Sequence, residues 1–533
     1  MLAPSAHVDT FTRDNLPPAD AWPPLAFDPA VFGSSEPYPD RLNAAVELLD
    51  RTIGTHGSDR RALVFPGGSW TYGELRDNAG RLANLLTSEF GIVPGNRVLL
   101  RMPNNPWLVA AWLAVLKTGA VAVTSMPALR AAELRTVNEI ACVSASLVDH
   151  RFRADWAEAA IGPGATIGGE DDLVSRLAGY PAEFAAVDTA ADDVAMLAFT
   201  SGTTGRPKAT MHFHRDLLAT CDTFSAHVLK PTPDDVFAGS PPIGFTFGLG
   251  GLVLFPMRAG AATLLLERPT PDTLVPAIAE HGATVLFTAP TAYRAMLGVP
   301  NADFASLRRC VSAGEPLSLA TWQAFFDRTG CRIIDGLGST EMLHIFISSA
   351  DDDIRPGATG RPIPGYQACV LDDDGHEVPD GTLGRLAVRG PTGCRYLSDE
   401  RQSAYVQHGW NLTGDTYLRD ADGYFWYQAR SDDMIISAGF NIAGPEVEAA
   451  LLTHPDVLEC AVVGAPDEQR TMIVHAFVVV RPGATIDASA LQEHCRRTIA
   501  PYKMPRIVEF IEALPRTTTG KVQRYRLREM VSR

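Results

Sequence analysis

The chain has 533 residues, of which 46% are hydrophobic and 20% charged, and its formal net charge is −16. These values are ordinary for a globular protein with more than one core, and the acidic balance without a basic run argues against a nucleic-acid partner. The longest apolar run, residues 107–116, is too short to span a bilayer, and the N-terminus lacks the apolar core of a signal peptide. The eight cysteines form no C-x-x-C pair, which predicts reduced thiols. We expect a cytoplasmic protein with no membrane partner.

Helical and strand patterns alternate through most of the chain. Residues 1 to about 40 are rich in proline, aspartate and phenylalanine, and we expect them to wrap the surface. Helices are predicted at 75–86, 107–117, 215–228 and 272–281. Strands are predicted at 97–102, 194–199, 261–266, 283–287 and 332–335. The alternation predicts an α/β fold with doubly wound, mostly parallel sheets.

The pattern changes twice beyond residue 350. Short strands and glycine turns over 355–428 predict a small β-barrel. After residue 431 the pattern predicts a compact α+β unit, with helices at 445–452 and 488–499 and strands at 458–464 and 472–480. We therefore expect a large N-terminal domain over residues 1–431 and a small mobile C-terminal domain over residues 432–533.

The segment 199–208, with the sequence FTSGTTGRPK, has the composition of a polyphosphate-binding loop. Its glycines let the backbone approach a ligand closely, and its hydroxyl and main-chain N–H groups can face phosphate oxygens while Lys208 offsets their charge. It is not the common phosphate loop, because G-x-x-x-x-G-K-[ST] does not occur here. The predicted phosphate-binding residues are Thr200, Ser201, Gly202, Thr203, Thr204, Gly205 and Lys208.

Two further segments carry polar groups next to glycine turns. In the segment 335–341, with the sequence DGLGSTE, Thr340 can hold an α-phosphate and Glu341 can bind Mg²⁺, which prefers hard oxygen ligands. In the segment 413–430, Asp415 can accept both ribose hydroxyls and Arg430 can complete the hydrogen-bonded ring. On spacing alone, two surface charges in turns are the simpler explanation for this second pair.

Together with 514–522, LPRTTTGKV, these segments resemble the motifs of the adenylate-forming superfamily in order and spacing. This superfamily includes acyl- and aryl-CoA synthetases, peptide-synthetase adenylation domains and luciferases, and the resemblance covers roughly residues 40–525. It implies ATP, Mg²⁺ and coenzyme A as cofactors. Lys521 would be the catalytic lysine that, with Thr340 and Glu341, stabilises charge developing between the carboxylate and the α-phosphate.

The same resemblance implies roles for residues that their own chemistry does not specify. The remaining ATP contacts would come from Gly314, Glu315, Pro316, Asp335 and Gly336. Asp432 would be the hinge about which the C-terminal domain rotates. The channel for the pantetheine arm of CoA would be lined by Ser437, Ala438 and Gly439.

A narrower resemblance concerns the acid that is activated. Residues 335–346, residues 244–250 (GFTFGLG) and the opening AHVDTF are similar to the benzoate and 2-aminobenzoate CoA ligase branch. This implies a small aromatic carboxylic acid as substrate, held between aromatic walls. By position, the acid pocket would consist of Phe245, Thr246, Phe247, Ala313, Gly338, His344 and Ile345. Core packing is the alternative explanation for the phenylalanines.

Several alternatives stay open at the level of sequence. Leu337 stands where relatives often have an aromatic residue against adenine, and Thr471 and His475 stand where glycine and lysine are common near CoA. The acyl acceptor could be an acyl carrier protein instead of free CoA, and the acid could be bulkier or aliphatic. A rival of another class is a catalytically silent nucleotide-binding relative. The sequence leaves open whether the chain forms a homodimer.

Overall fold

Four β-sheets with their covering helices organise the part of the chain that the structure describes. The computed structural model describes residues 4–170, 172–200, 207–430, 433–437, 440–467, 470–499, 501–517 and 520–531. The architecture is mixed α/β, with parallel sheets and a separate C-terminal domain. None of the helices in these ranges is long and apolar enough to cross a membrane.

The strands, in chain order, are β1 (Arg61–Phe65), β2 (Gly68–Thr71), β3 (Arg97–Arg101), β4 (Val121–Ser125), β5 (Ala145–Asp149), β6 (Gly164–Ile167), β7 (Val194–Thr200), β8 (Lys208–Phe213), β9 (Val236–Gly239), β10 (Ala262–Leu264), β11 (Val285–Thr288), β12 (Arg309–Ser312), β13 (Ile333–Gly338), β14 (Ile345–Ser348), β15 (Arg361–Pro362), β16 (Gln367–Leu371), β17 (Leu383–Arg389), β18 (Val406–Gln407), β19 (Trp410–Arg419), β20 (Phe425–Arg430), β21 (Ile435–Ser437), β22 (Phe440–Ile442), β23 (Val457–Asp467), β24 (Thr471–Val480) and β25 (Ile507–Phe510).

The α-helices are α1 (Phe11–Asp14), α2 (Pro29–Phe32), α3 (Arg51–His56), α4 (Tyr72–Glu89), α5 (Pro106–Lys117), α6 (Ala131–Ala141), α7 (Arg153–Ala159), α8 (Leu173–Leu177), α9 (His214–Thr220), α10 (Thr246–Leu249), α11 (Phe255–Ala259), α12 (Pro271–His281), α13 (Pro290–Met296), α14 (Leu319–Thr329), α15 (Gln402–Tyr405), α16 (Gly444–Leu452), α17 (Ala488–Thr498) and α18 (Arg524–Val531). Helical turns of π type lie at Val46–Asp50, Cys221–Leu229 and Gly250–Leu254.

Two large sheets form the body of the N-terminal domain. One has the order β15-β14-β13-β12-β11-β9-β10-β1-β2, and its strands from β13 to β1 are parallel. The other has the order β6-β5-β3-β4-β7-β8 and is parallel except for the β7–β8 pair. One hydrophobic cluster contains residues of both sheets and of α4 and α5, so the core lies between the sheets.

Helices α4 and α5 illustrate how the sequence specifies this arrangement. Helix α4 begins at a capping box, because Thr71 accepts from the Glu74 N–H while the Glu74 side chain accepts from the Thr71 N–H. Helix α5 begins after Asn105, which caps it, and has a proline at its first position. It is apolar on all sides and is buried, as such a helix must be in a water-soluble fold.

Two smaller antiparallel or mixed sheets complete the chain. Strands β16, β17, β19, β18 and β20 form an antiparallel sheet over residues 367–430, where the sequence predicts a small β-barrel, and closure into a barrel stays a prediction. The C-terminal domain has the sheet order β22-β21-β24-β23, with β25 parallel to β24. The domain boundary predicted at 431/432 lies outside the described residues and also stays a prediction.

Most of the elements predicted from the sequence are confirmed, with small shifts at their ends. The predicted helices at 75–86 and 107–117 correspond to α4 and α5, and the predicted strand at 332–335 corresponds to β13. In the C-terminal domain, all four predicted elements are present as α16, β23, β24 and α17. Hydrophobic periodicity was sufficient to locate these helices and strands because each of them buries one face or is buried completely.

A buried ion pair joins helix α9, which follows β8 of the second sheet, to the segment that precedes β18. The Arg395 Nη1 atom lies 2.8 Å from Asp216 Oδ2, and both side chains are almost fully buried. The Arg395 guanidinium also lies 4.0 Å from the Phe213 ring centroid. The main-chain carbonyl of Arg395 accepts a hydrogen bond from the Met211 N–H of β8. Together, these contacts tie residues 395–397 to β8.

We expect Arg395→Leu to lower the free energy of unfolding by about 3–5 kcal/mol, because it leaves the Asp216 carboxylate buried without its cation. Urea denaturation followed by tryptophan fluorescence measures the loss. Arg176→Leu is the matched control, since Arg176 pairs with Glu89 at 2.8 Å on the surface and exposed pairs contribute at most about 1 kcal/mol. Equal losses in the two variants would contradict the role of the buried pair.

Candidate active site

The carboxyl ends of several parallel strands meet at one edge of the large sheet. Strands β9, β12 and β13 all run in the same direction, so the segments that follow them emerge on one side. Open α/β sheets bind ligands at this edge. The segments that follow these strands contain the predicted acid-pocket residues, the turn at 313–316 and the motif at 335–341.

The predicted phosphate loop connects two antiparallel strands of the second sheet. Thr200 at the end of β7 lies opposite Lys208 at the start of β8 in the strand register. The structure thus places two of the predicted phosphate-binding residues side by side. The others, Ser201, Gly202, Thr203, Thr204 and Gly205, lie outside the described residues, and their phosphate contacts stay predictions.

A tyrosine that the sequence analysis missed connects Lys208 to Glu341. The Lys208 ammonium donates to the Tyr396 hydroxyl at 2.7 Å, and this hydroxyl donates to Glu341 Oε1 at 2.5 Å. The Lys208 Nζ atom itself lies 3.8 Å from the same carboxylate oxygen. Burial first and the Glu341 charge second raise the pKa of Tyr396, so the phenol keeps the proton it donates. The network fixes the direction of the Glu341 carboxylate.

A second tyrosine and a histidine complete the support of this motif. Tyr405 contacts Ser339 through its hydroxyl at 3.2 Å, and its ring centroid lies 5.9 Å from the Lys208 ammonium. His212 of β8 donates from Nε2 to the Thr340 carbonyl at 2.8 Å. Complete burial lowers the pKa of His212 to about 4, so the ring is neutral at physiological pH. Tyr396, Tyr405 and His212 belong to none of the predicted motifs, and no sequence signal identifies them.

Asp335 has an unused acceptor at the carboxyl end of β13. Its Oδ1 atom is buried and has no hydrogen-bond partner among the described residues. Burial raises the pKa of this carboxyl group to about 8, although a hydrogen bond from Gly336 acts in the opposite direction. A buried unpaired acceptor is costly, so a ligand donor at this point would be favoured. The amino group of a purine has the chemistry to fill it, and the site therefore fits a nucleotide base.

The predicted ribose-binding pair is formed. Asp415 on β19 lies opposite Arg430 on β20, and Arg430 Nη1 lies 3.1 Å from Asp415 Oδ1. Burial raises the pKa of Asp415, while Arg430 opposes this shift. Gly414 lies between them with φ of +76°, and a Cβ atom there would stand 2.9 Å from Arg430 Nη2. The glycine in this motif is therefore required by the approach of the arginine as well as by its backbone angle.

Lys521 of the C-terminal domain projects into the same cleft. Its Cε atom lies 3.9 Å from the position that a Cβ of Gly314 would occupy. Loss of hydration lowers the pKa of Lys521, and Arg430 lowers it further, while Glu315, Asp415 and Glu341 act in the opposite direction. Although the side chain keeps exposed surface within the cleft, it is close enough to interact with four predicted ATP-site residues. These four residues are Glu315, Glu341, Asp415 and Arg430.

The turn that carries Lys521 is held by its own hydrogen bonds and by one contact across the cleft. Thr517 donates its N–H to the Lys521 carbonyl at 2.8 Å, and Gly520 adopts φ of +89°. Arg516 pairs with Glu459 of its own domain at 2.9 Å and lies 3.8 Å from Glu315 of the N-terminal domain. This contact aligns the two domains with Lys521 facing the nucleotide site.

A ring of phenylalanines encloses His344, one of the predicted acid-pocket residues. Its ring centroid lies 4.6 Å from Phe255, 5.4 Å from Phe224, 5.7 Å from Phe247 and 6.3 Å from Phe287. Burial lowers the pKa of His344 to about 3, although the backbone of Phe247 acts in the opposite direction. Neither ring nitrogen has a hydrogen bond of ordinary geometry within the described part of the chain. His344 is thus a neutral, aromatic-like wall.

Gly250 explains why His344 can occupy this position. A Cβ atom at Gly250 would stand 2.3 Å from His344 Cδ2, so only glycine leaves room for the imidazole. Similarly, a Cβ at Gly338 would stand 2.7 Å from the His344 carbonyl oxygen. Gly338 therefore allows the backbone of the following turn to pack closely. Sequence reasoning included Gly338 as the floor of the pocket and did not include Gly250.

The structure also describes the other predicted pocket residues. Phe245 and Phe247 are half-buried, and Thr246 begins α10 between them. Ala313 follows β12 and Ile345 begins β14, and both are buried. Ile345 lies opposite Gly338 in the β13–β14 register and its side chain fills the space beside Gly336. Ring binding by this set stays a prediction.

Two predicted functional elements of the C-terminal domain are only partly described. Ser437 is buried at the end of β21, opposite Phe440 of β22 and Thr471 of β24. Ala438, Gly439 and the predicted hinge residue Asp432 lie outside the described residues. The CoA channel and the hinge therefore stay predictions. His475, which stands where lysine is common in relatives, stacks on Phe477 at 4.6 Å and pairs with Glu509 at 3.2 Å.

The oxygen ligands at Thr340 and Glu341 fit a magnesium ion. Tyr396 and Lys208 both approach Oε1 of Glu341, and the other carboxylate oxygen makes no hydrogen bond or ion pair with the described residues. Mg²⁺ is usually bound by one or two carboxylates together with substrate phosphates, not by a complete protein cage. The Thr340 hydroxyl adds a hard oxygen beside this carboxylate.

Comparison with known proteins decides the family. Residues 49–396 match the AMP-binding enzyme family, and residues 446–521 match the AMP-binding enzyme C-terminal domain. The chain belongs to the AMP-binding enzyme family. Its matched regions contain Lys208, Glu341 and Lys521, which the structure brings together from three separate segments.

Relatives of this chain include enzymes that act on aromatic acids. A benzoate–CoA ligase from Thauera aromatica is 34% identical over 508 residues, which cover 92% of this chain and 96% of that protein. The crystal structure of the anthranilate CoA ligase AuaEII in complex with anthranoyl-AMP has a TM-score of 0.88 and 33% identity, covering 93% of this chain and 98% of that one. The crystal structure of a benzoate CoA ligase from Burkholderia xenovorans LB400 has a TM-score of 0.85 and 34% identity, covering 91% of this chain and 100% of that one.

We expect Tyr396→Phe to slow ATP–pyrophosphate exchange roughly 10- to 100-fold, because a hydrogen bond to a charged group contributes about 1.5–3 kcal/mol. The variant removes only the hydroxyl that joins Lys208 to Glu341 and keeps the ring. Tyr405→Phe is the matched control, since its hydroxyl contacts the neutral Ser339, and we expect it to lose less than tenfold. An exchange rate for Tyr396→Phe within twofold of the wild type would show that this bridge is not needed.

Proposed function

We propose that this protein is an ATP-dependent ligase that joins a small aromatic carboxylic acid to coenzyme A through an acyl-adenylate. The position of Lys521 is the observation that carries this proposal. A lysine on a separate domain is directed into the cleft where Glu341, Asp415 and Arg430 meet. A silent nucleotide-binding relative would not need a cation at this point, and the relatives named above are CoA ligases.

In the first half-reaction, an oxygen of the substrate carboxylate attacks the α-phosphorus of ATP. The bond from this phosphorus to the bridging oxygen breaks, and pyrophosphate leaves with the electron pair. Lys521 stabilises the charge that develops between carboxylate and α-phosphate, while Thr340 holds a phosphate oxygen. Lys208, oriented by Tyr396, offsets the charge of the departing phosphates.

The protein residues of the nucleotide site orient ATP for this attack. Asp335 accepts from the purine amino group, and Asp415 with Arg430 holds the ribose hydroxyls. Glu341, with Thr340 next to it in the chain, would hold a magnesium ion, which would supply Lewis-acid neutralisation of the phosphate charge. Such positioning raises the effective concentration of the reacting groups and lowers the entropic part of the barrier.

In the second half-reaction, the thiol sulfur of CoA attacks the acyl carbon and the bond to the phosphate oxygen breaks, releasing AMP. The thiol loses its proton in this step. We propose that the C-terminal domain rotates about Asp432 before it, so that Ser437, Ala438 and Gly439 face the acyl-adenylate. A carrier-protein phosphopantetheine is the alternative acceptor, and comparing acyl transfer to free CoA and to a carrier distinguishes them.

The enclosure around His344 supports an aromatic acid as the substrate. Phe247 contacts both His344 and Phe287, and this apolar, flat surface suits a benzene ring better than a flexible chain. Because both His344 nitrogens are buried, Thr246 is the better candidate for a contact to a ring substituent. The free thiols of the cysteines are consistent with a cytoplasmic location, which we include in the proposal.

We expect Lys521→Ala to slow adenylate formation about 10²- to 10³-fold, as for loss of one donor to developing charge. Thioester formation from a premade acyl-adenylate should change much less, because Lys521 acts in the first half-reaction. ATP–pyrophosphate exchange and CoA acylation measure the two steps separately. Lys503→Ala is the matched control, since Lys503 pairs with Glu446 at 2.6 Å within the C-terminal domain. Equal losses in both half-reactions of the Lys521 variant would contradict the assignment.

We expect Thr246→Val to shift selectivity from 2-aminobenzoate towards benzoate by roughly two- to tenfold, the effect of losing one hydrogen bond of about 0.5–1.5 kcal/mol. Valine keeps the shape and removes only the hydroxyl. Thr246→Ser keeps the hydroxyl and should leave the ratio of kcat/KM values near that of the wild type. A panel that adds medium-chain and alicyclic acids tests the pocket itself. Activation of a fatty acid with failure of every aromatic acid would overturn the substrate class but not the adenylation chemistry.

A further inference from the structure

Two cysteine sulfurs lie in contact at the base of the strands that support the nucleotide site. Cys310 is in the middle of β12, and Cys331 lies between α14 and β13. Their Sγ atoms are 3.4 Å apart. The two sulfurs are in contact but not bonded, because all eight cysteines of the chain have free thiols in the structure. The two residues are 21 positions apart in sequence, and their spacing gave no indication of a pair.

The strand register explains why the two sulfurs meet. Cys310 lies opposite Ile333 in the parallel β12–β13 pair, and Cys331 precedes Ile333 by two residues. Side chains two positions apart on an extended segment point to the same face, so Cys310 and Cys331 are diagonal neighbours beneath α14. The contact is therefore a property of the sheet.

The surroundings of the two thiols differ in a way that suits a reactive and a resolving cysteine. Cys331 is half-buried and can be reached from solvent, whereas Cys310 is fully buried next to Tyr293. Contact with the Cys310 sulfur lowers the pKa of Cys331 most, and the nearby Arg309 guanidinium adds to this effect against the cost of burial. Burial raises the pKa of Cys310. Low-pKa, accessible thiols beside a second thiol are the ones that oxidants select.

We infer that Cys331 and Cys310 are a redox-active dithiol that a hydroperoxide converts into an internal disulfide. The Cys331 thiolate attacks one peroxide oxygen, the O–O bond breaks, and Cys331 becomes a sulfenic acid while hydroxide leaves. The Cys310 thiol then attacks the Cys331 sulfur, and the S–O bond breaks as water is released. Overall, two thiols lose two electrons and two protons, and one hydrogen peroxide becomes two water molecules.

Closing the disulfide has to move the chain that leads into β13. The sulfurs must approach from 3.4 Å to the ~2.05 Å of a disulfide bond. Cys310 is fixed within β12, so the segment around Cys331 moves instead, and Gly330 before it already has a φ of +70°. Strand β13 carries Asp335 and the motif that ends at Glu341, and displacement by about 1 Å can cost about 10² in rate. The disulfide therefore slows adenylate formation, a consequence that rests on the proposed function.

Peptide mapping of the full chain tests the dithiol without reference to activity. The protein is treated with hydrogen peroxide, its remaining thiols are alkylated, and the digest is analysed by mass spectrometry with and without a reductant. We expect a reducible cross-link between the peptides of Cys310 and Cys331 at peroxide concentrations that leave the exposed Cys142 largely unmodified. Oxidation of Cys142 before Cys331, or conversion of Cys331 to sulfinic acid without a cross-link, would overturn the inference.

Three variants separate the roles of the cysteines. Cys310→Ser should accumulate a sulfenic acid at Cys331 that a 1,3-dione reagent traps. Cys331→Ser, a half-buried position that tolerates the change, should give neither cross-link nor trapped Cys310. Cys142→Ser is the matched control and should keep the cross-link. A dione adduct at Cys310 in the Cys331 variant would reverse the assigned order and overturn it.

ATP–pyrophosphate exchange with an aromatic acid tests the coupling to the nucleotide site. Peroxide should lower exchange by the wild type at least tenfold, dithiothreitol should restore it, and Cys331→Ser should be unaffected by either. Full exchange activity in cross-linked protein would overturn the coupling. Absence of exchange before any treatment would instead count against the proposed function, and the peptide map would still decide whether the dithiol exists.

Discussion

The hydrogen bond from Tyr396 to Glu341, with Lys208 bound to the same hydroxyl, is the contact on which the rest of the site depends. It places a cation and a carboxylate on either side of one buried phenol, where neither charge can be satisfied by bulk water. Because the lysine comes from β8 and the carboxylate from the turn after β13, the bond also joins the two large sheets at the point where phosphates would lie. The site is thus organised before a ligand arrives, which reduces the reorganisation needed during reaction.

Support for this contact comes from outside the cleft. The Arg395–Asp216 pair holds the segment that carries Tyr396 against α9, and a main-chain hydrogen bond from Met211 to Arg395 holds it against β8. His212 of β8 donates to the Thr340 carbonyl. Each of these groups is buried and would be costly to leave unpaired. We therefore expect the loss of one of these groups to leave its own partner unpaired and to weaken the support of the segment that positions Glu341.

The C-terminal domain approaches this organised edge with few contacts. Arg516 reaches Glu315, and Lys521 interacts with the carboxylates and with Arg430 at the edge of the cleft. A small polar interface of this kind lets domains move relative to each other, as the proposed second half-reaction requires. The Cys310–Cys331 pair lies towards the other end of the same strands, so under the two proposals the strand that carries Asp335 would respond both to nucleotide and to oxidation.

The sequence by itself determined the α/β class, most element positions and the residues of each motif, including Asp415, Arg430 and Lys521. This was possible because each motif is a short segment whose glycines, hydroxyls and charges are adjacent in the chain, and because buried helices and strands leave a hydrophobic period. Only the tertiary structure decided that Tyr396 bridges Lys208 and Glu341, that Gly250 makes room for His344, and that Cys331 touches Cys310. These contacts join residues that are 21 to 188 positions apart, and sheet pairing, which brings them together, is set by the packing of the whole chain.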